Sequence, residues 1–110
     1  MNKLRRKEIF KIIQKINKIL SNLKYDYIDK LVELIYDIID EIQYILDEEE
    51  FAMDNTPENL QNTQRYEVSE LACENLFDSI EELEEIDEDF SKEEIEHCLL
   101  NVIRNLNNCI

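Results

Sequence analysis

Asp54-Asn55-Thr56-Pro57-Glu58-Asn59-Leu60-Gln61-Asn62-Thr63-Gln64-Arg65-Tyr66-Glu67 divides the chain: it holds the only proline and separates two long helix-period segments. With Thr56 as N-cap, Pro57 falls at the first helical position, where its missing N–H costs nothing and its fixed φ suits a helix. Glu58 follows where the helix dipole favours an acid. Thr63 is a second cap. The helix therefore restarts either from Pro57 directly or from Thr63, with Pro57 to Gln61 as a single isolated turn.

Upstream lie two apolar stripes. Helix one, over about 3–23, carries Ile9, Ile13, Ile16, Leu20 and Leu23 on one face, widened by Phe10, Ile12 and Ile19. Helix two, over about 27–51, carries Ile28, Leu31, Ile35, Ile38, Ile42 and Ile45. Extended backwards, this second seam lands on Lys24, Ser21 and Asn17, out of phase with the first. Two arrangements satisfy that shift: a break at Lys24 to Asp26 with Asp26 as N-cap and an antiparallel hairpin, or one continuous helix with a local phase slip. The hairpin is the reading adopted. It sets the basic segment Lys3 to Lys7 beside Asp47-Glu48-Glu49-Glu50, an acidic run near a helix C-terminus where the macrodipole disfavours negative charge.

Downstream, helix three over about 64–86 places Tyr66, Cys73, Leu76, Ile80 and Leu83 on one face, broadened by Val68, Ala72 and Phe77. Its far side is acidic: Glu74, Asp78, Glu81, Glu82, Glu84 and Glu85. Like charges four apart destabilise a helix by a few tenths of a kcal/mol, roughly 0.2–0.5 per pair, so this face carries a cost that either a binding use or solubility alone would explain. Ser91-Lys92-Glu93-Glu94 is a capping box, with Phe90 and Ile95 as its hydrophobic staple. It starts helix four, over about 92–107, which ends at Asn107-Asn108, where an αL cap is expected. The whole reads as one all-α, four-helix-bundle domain, and the Ile-rich seam of helix two suggests spare apolar surface for a homodimer or higher oligomer.

Composition agrees. The 110 residues include no glycine, which removes the easiest positive-φ turns and argues against a hairpin-rich β protein. The net charge is −15, yet residues 1–24 sum to +7, leaving −22 for the remainder. No apolar run is long enough for a membrane span, and no signal-peptide pattern is present, so a cytoplasmic location is expected. Cys73, Cys98 and Cys109 are not spaced as a closed disulfide set or a metal knuckle and read as reduced thiols.

Asp54-Asn55-x-Pro57-Glu58-Asn59-Leu60-Gln61 followed by Arg65-Tyr66-Glu67 resembles the central motif of a family of short acidic helical proteins encoded by phages and prophages of low-GC Gram-positive bacteria. The likeness runs from the acidic end of helix two to the start of helix three, and family members often carry serine where Thr63 stands. The family generally has no assigned activity, so the resemblance implies a phage origin and a host-cell cytoplasmic location but no chemistry.

No phosphate-cradling glycine loop, zinc-spaced Cys/His set or nucleophile elbow is present, and the acidic run lacks the glycine-containing loop of a calcium hand. The expectation is a non-enzymatic protein with no catalytic residues, no metal and no cofactor. Three uses remain. In the first, the acidic face of Glu74, Asp78, Glu81, Glu82, Glu84 and Glu85 occupies a basic host-protein surface, as an inhibitor of nucleic-acid-targeting defence would. In the second, a helical oligomer sequesters a nucleotide signal, with Arg65, Tyr66, Arg5 and Arg6 as contacts. The third is a phage structural or regulatory role with the basic first helix on DNA, although the overall charge argues against direct nucleic-acid binding.

Overall fold

The computed structural model describes residues 1–23, 30–87 and 89–110. Four α-helices occupy them: α1 Lys3–Asn22, α2 Leu31–Asp54, α3 Gln64–Glu84 and α4 Lys92–Asn107. No strand occurs among the described residues. The expected turn at Lys24 to Asp26, with its Asp26 cap, the Tyr27 helix start and the Ile28 seam position, lies outside them.

Each helix packs on its neighbours in sequence and α4 closes against α1, so α1 and α3 stand on one diagonal and α2 and α4 on the other. The first two helices are antiparallel neighbours, because Arg5 meets Glu48 and Glu49 while Lys15 meets Glu41. That settles the phase shift between their stripes in favour of two helices. The molecule is a rod of 53 × 22 × 19 Å.

The core is mostly branched aliphatic, with Ala72, Cys98 and Cys109 as the smaller members. Ile9, Ile12, Ile16 and Ile19 enter from α1 and Leu31, Ile35, Ile38, Ile42, Ile45 and Leu46 from α2. Leu76, Ile80 and Leu83 come from α3, and Ile95, Leu99, Val102 and Leu106 from α4. β-branched side chains are stiff, so isoleucine sacrifices little further rotamer freedom when buried, and each such burial contributes about 1.5–3 kcal/mol. The isoleucine seam of α2 is thus consumed within one chain and supplies no spare surface for an oligomer. On α1 the buried face is rotated from the expected one: Ile12 and Ile19 are core, Ile13, Leu20 and Leu23 pack at its margin, and Phe10 is exposed. Val68 and Phe77 likewise face outward rather than broadening the α3 stripe.

Caps set the boundaries. Asn2 accepts from the Arg5 amide at 2.8 Å, Thr63 from the Tyr66 amide at 3.3 Å, and Ser91 from the Glu94 amide at 3.2 Å. Glu94 completes the box by accepting from the Ser91 amide, and helix four has its expected bounds. Three details differ from expectation. Pro57 has φ −57° and ψ 144°, outside the helix, and precedes a single 3₁₀ turn, Glu58–Leu60. The Thr56 hydroxyl, instead of capping that turn, donates back to the Ala52 carbonyl at 3.0 Å. Asn108 stays right-handed, at φ −70° and ψ −12°, so it does not supply the expected αL cap.

Candidate functional site

One end of the bundle gathers the amino-terminal turn of α1, the acidic end of α2 and the central turn. Glu49 is its anchor. The carboxylate is buried, with Arg5 Nε donating to Oε2 at 2.7 Å and the Met1 amino group 3.2 Å from Oε1. Arg5 also reaches Glu48 at 3.5 Å. Both oxygens therefore have a cationic donor, which a carboxylate withdrawn from water requires. The basic N-terminal segment offsets the acidic run as expected, through Arg5 and the terminal amine.

Beside this cluster opens a groove of about 520 Å³ lined by Asn2, Arg5, Glu49, Met53, Asn55, Pro57, Leu60, Thr63, Arg65, Tyr66 and Ser69 among others. Its wall is the central turn, held by local bonds: Asn55 Nδ2 donates to the Phe51 carbonyl, Gln61 Nε2 to the Thr56 carbonyl and Thr63 Oγ1 to the Leu60 carbonyl. Of the four residues expected to contact a ligand, Arg5, Arg65 and Tyr66 are brought together here; Arg6 is exposed on α1 and does not line the groove. Arg5 is already engaged by two carboxylates, whereas Arg65 is exposed.

The acidic face forms as read, with one exception. Glu74, Asp78, Glu81, Glu84 and Glu85 are exposed, whereas Glu82 is half-buried and accepts from Asn101 Nδ2 at 3.2 Å, tying α3 to α4. Among the described residues, ion pairs involve Glu8, Glu41, Glu48 and Glu49, and none of these six carboxylates. Sequence reading missed a second feature, the outer side of α2. Tyr36, Tyr44 and Phe51 are 63%, 67% and 71% exposed there, interleaved with exposed Asp37, Asp40 and Asp47. The signal was available: aromatic residues stepping by eight and seven fall opposite the isoleucine seam. The Tyr44 hydroxyl is hydrogen-bonded to Glu48, whose bond and charge raise its pKa.

The thiols are held protonated. Burial, helped by the charges of Glu49 and Glu50, pushes Cys73 up to about 11. Burial and the Glu82 carboxylate push Cys98 up to about 11, and burial with the neighbouring Cys73 pushes Cys109 up to about 12. A thiol in that state is a poor nucleophile and metal ligand. His97 is exposed, and no group of three His, Cys, Asp or Glu suited to a metal ion occurs among the described residues. Among the described residues no helix is long and apolar enough to cross a membrane.

Compared with known protein families, curated proteins and solved structures, the chain finds no match in any of the three.

Proposed function

We propose that this chain is a non-enzymatic interaction protein that lays the acidic outer faces of α2 and α3 on a basic surface of a partner protein. One observation carries the reading: among the described residues the six carboxylates of the α3 face enter no ion pair, and exposed aromatic side chains stand among the acids of the adjoining α2 face. Complementary charge steers encounter and sets specificity, while desolvated aromatics supply most of the affinity at protein interfaces. The resemblance of the central motif, with the phage origin it implies, makes the partner a host protein, and the acidic faces extend the reading to a basic surface that ordinarily meets nucleic acid, and so to an inhibitor of nucleic-acid-targeting defence.

The test is capture of proteins from a nuclease-treated Gram-positive lysate by the intact protein and by a Glu74→Lys, Asp78→Lys, Glu81→Lys variant. A stoichiometric basic protein retained only by the unaltered chain, and released by salt, is expected. Equal capture by both forms would reject this surface.

The groove favours a second reading. Its volume lies within the range of small-molecule sites, and it joins Arg65 to the Tyr66 ring beside amide and hydroxyl groups. That set suits a small anion bearing a planar ring. Calorimetric titration with nucleoside monophosphates against unaltered and Arg65→Ala protein tests it, and absence of heat at millimolar ligand would discard it.

A further inference from the structure

Because α1 and α3 stand on opposite corners of the bundle, their outer faces look in opposite directions. α1 presents Lys3, Lys7, Lys11 and Lys18, all exposed; α3 presents Glu70, Glu74, Asp78 and Glu85, also exposed. Inside one chain neither row can neutralise the other. Among the described residues Lys11 pairs with Glu8, three residues back on its own helix, in an exposed contact at 3.5 Å. Each row is flanked by two exposed apolar residues: Leu4 (65%) and Phe10 (51%) on α1, Leu71 (54%) and Phe77 (52%) on α3.

We propose that a second copy of this chain docks here, the outer face of α1 from one copy against the outer face of α3 from the next. A single parallel register satisfies both rows. It sets Lys3 beside Glu70, Lys7 beside Glu74, Lys11 beside Asp78 and Lys18 beside Glu85. In this register the charged rows face each other, and Leu4, Phe10, Leu71 and Phe77 stand as exposed apolar margins on either side of the seam.

The fold permits this pairing with little displacement. α1 and α3 run in the same direction, both antiparallel to α2, so copies standing side by side with parallel axes bring them together in the required sense. Heights agree as well. Lys15 is level with Glu41 of α2, and Met53 of α2 is level with Cys73, which puts Lys15 near the level of Glu85. The proposed register needs an axial shift of about one helical turn, ~5 Å. The contact is heterologous, using different surfaces on the two copies, so it repeats into a row of bundles or closes as a ring. Local attraction works against the repulsion between two chains of net charge −15, and salt screens it.

The inference does not depend on the partner reading, although both engage α3, so self-association and partner binding compete for that face. Sedimentation velocity of the purified protein, with no partner present, tests it alone. Concentration-dependent association is expected at about 50 mM NaCl and should weaken at least ~10-fold at about 0.5 M. Lys7→Glu with Lys11→Glu makes both faces acidic; Glu74→Lys with Asp78→Lys makes both basic. Each variant alone should run as a monomer with unchanged helicity, and an equimolar mixture should associate again, since each supplies the face the other lacks. Phe10→Ser, a surface change that leaves the charges intact, should also weaken association. A monomeric unaltered protein at every concentration, or association that survives in either charge-reversed variant, would overturn the proposal.

Discussion

Replacing Arg5 by methionine isolates the energetics of the buried Glu49 carboxylate. In the native protein Arg5 Nε sits 2.7 Å from Oε2 and the Met1 amine 3.2 Å from Oε1, and the Glu49 side chain is only 2% exposed. Breaking a buried pair from one side costs about 3–5 kcal/mol, because the remaining charge cannot recover its hydration. The amine stays and offsets part of that, and methionine retains most of the apolar stem, so the expected loss is about 2–4 kcal/mol. For a domain of ordinary stability, roughly 5–15 kcal/mol, that is a large fraction. Adding Glu49→Leu should recover most of the loss, since a buried ion pair exchanged for well-packed apolar side chains is often close to neutral. Urea unfolding followed by far-ultraviolet circular dichroism gives both numbers. A loss below about 0.5 kcal/mol for Arg5→Met, or a double variant whose cost is the sum of the two single ones, would refute the account.

Further expectations follow from other parts of the molecule. Leu99 is 0% exposed at the centre of α4, so Leu99→Ala should cost about 2–5 kcal/mol by the same assay. Ser91→Ala removes the acceptor for the Glu94 amide and should cost about 1 kcal/mol, with the change confined to α4 in amide chemical shifts. The three thiols set an alkaline limb. Their pKa values are raised in the folded state from a reference of 9.0 to about 11, 11 and 12, so the unfolded chain loses those protons first. Stability from this source is complete below pH 9 and falls as pH rises through about 11–12. Iodoacetamide at pH 8 should label the folded protein far more slowly than the urea-unfolded chain, and equal rates would contradict the burial of these groups.

Where local chemistry alone decides an element, the residues could be read directly. The bounds of α4 follow from the Ser91–Glu94 box and the cap of α3 from Thr63, because a hydroxyl three residues from its amide needs no tertiary help. Pro57 shows the limit. Its ring fixes φ, but φ −57° serves helix and extended chain equally, and ψ 144° follows from how the turn leaves α2. The stripe of α1 was legible only as an arc. Ile9, Phe10, Ile12, Ile13, Ile16 and Ile19 cover so much of the helix that its two neighbours decide which part is buried, and Phe10 is left outside. Glu49 looked like one of four acids in a run, although it stands four residues after Ile45, at the next step of the α2 seam. Seam position, rather than charge, was the signal for its burial.

The succession of the helices around the bundle bears on how the molecule assembles and opens. Among the described residues, the close helix packings join α1 to α2, α2 to α3 and α3 to α4, neighbours in sequence, and the closure of α4 on α1 is the exception. Chains with mostly local contacts fold fast, and the step spanning the greatest sequence distance carries the largest loop-closure cost. The α2–α3–α4 meander is therefore the unit expected to form first, with α1 added to complete the barrel of helices. In reverse, the α1–α4 seam is the first to part. Native-state hydrogen exchange should then find the amides of α1 released in openings smaller than global unfolding, while those at the centre of α3, packed closely on both sides, exchange only when the whole bundle comes apart.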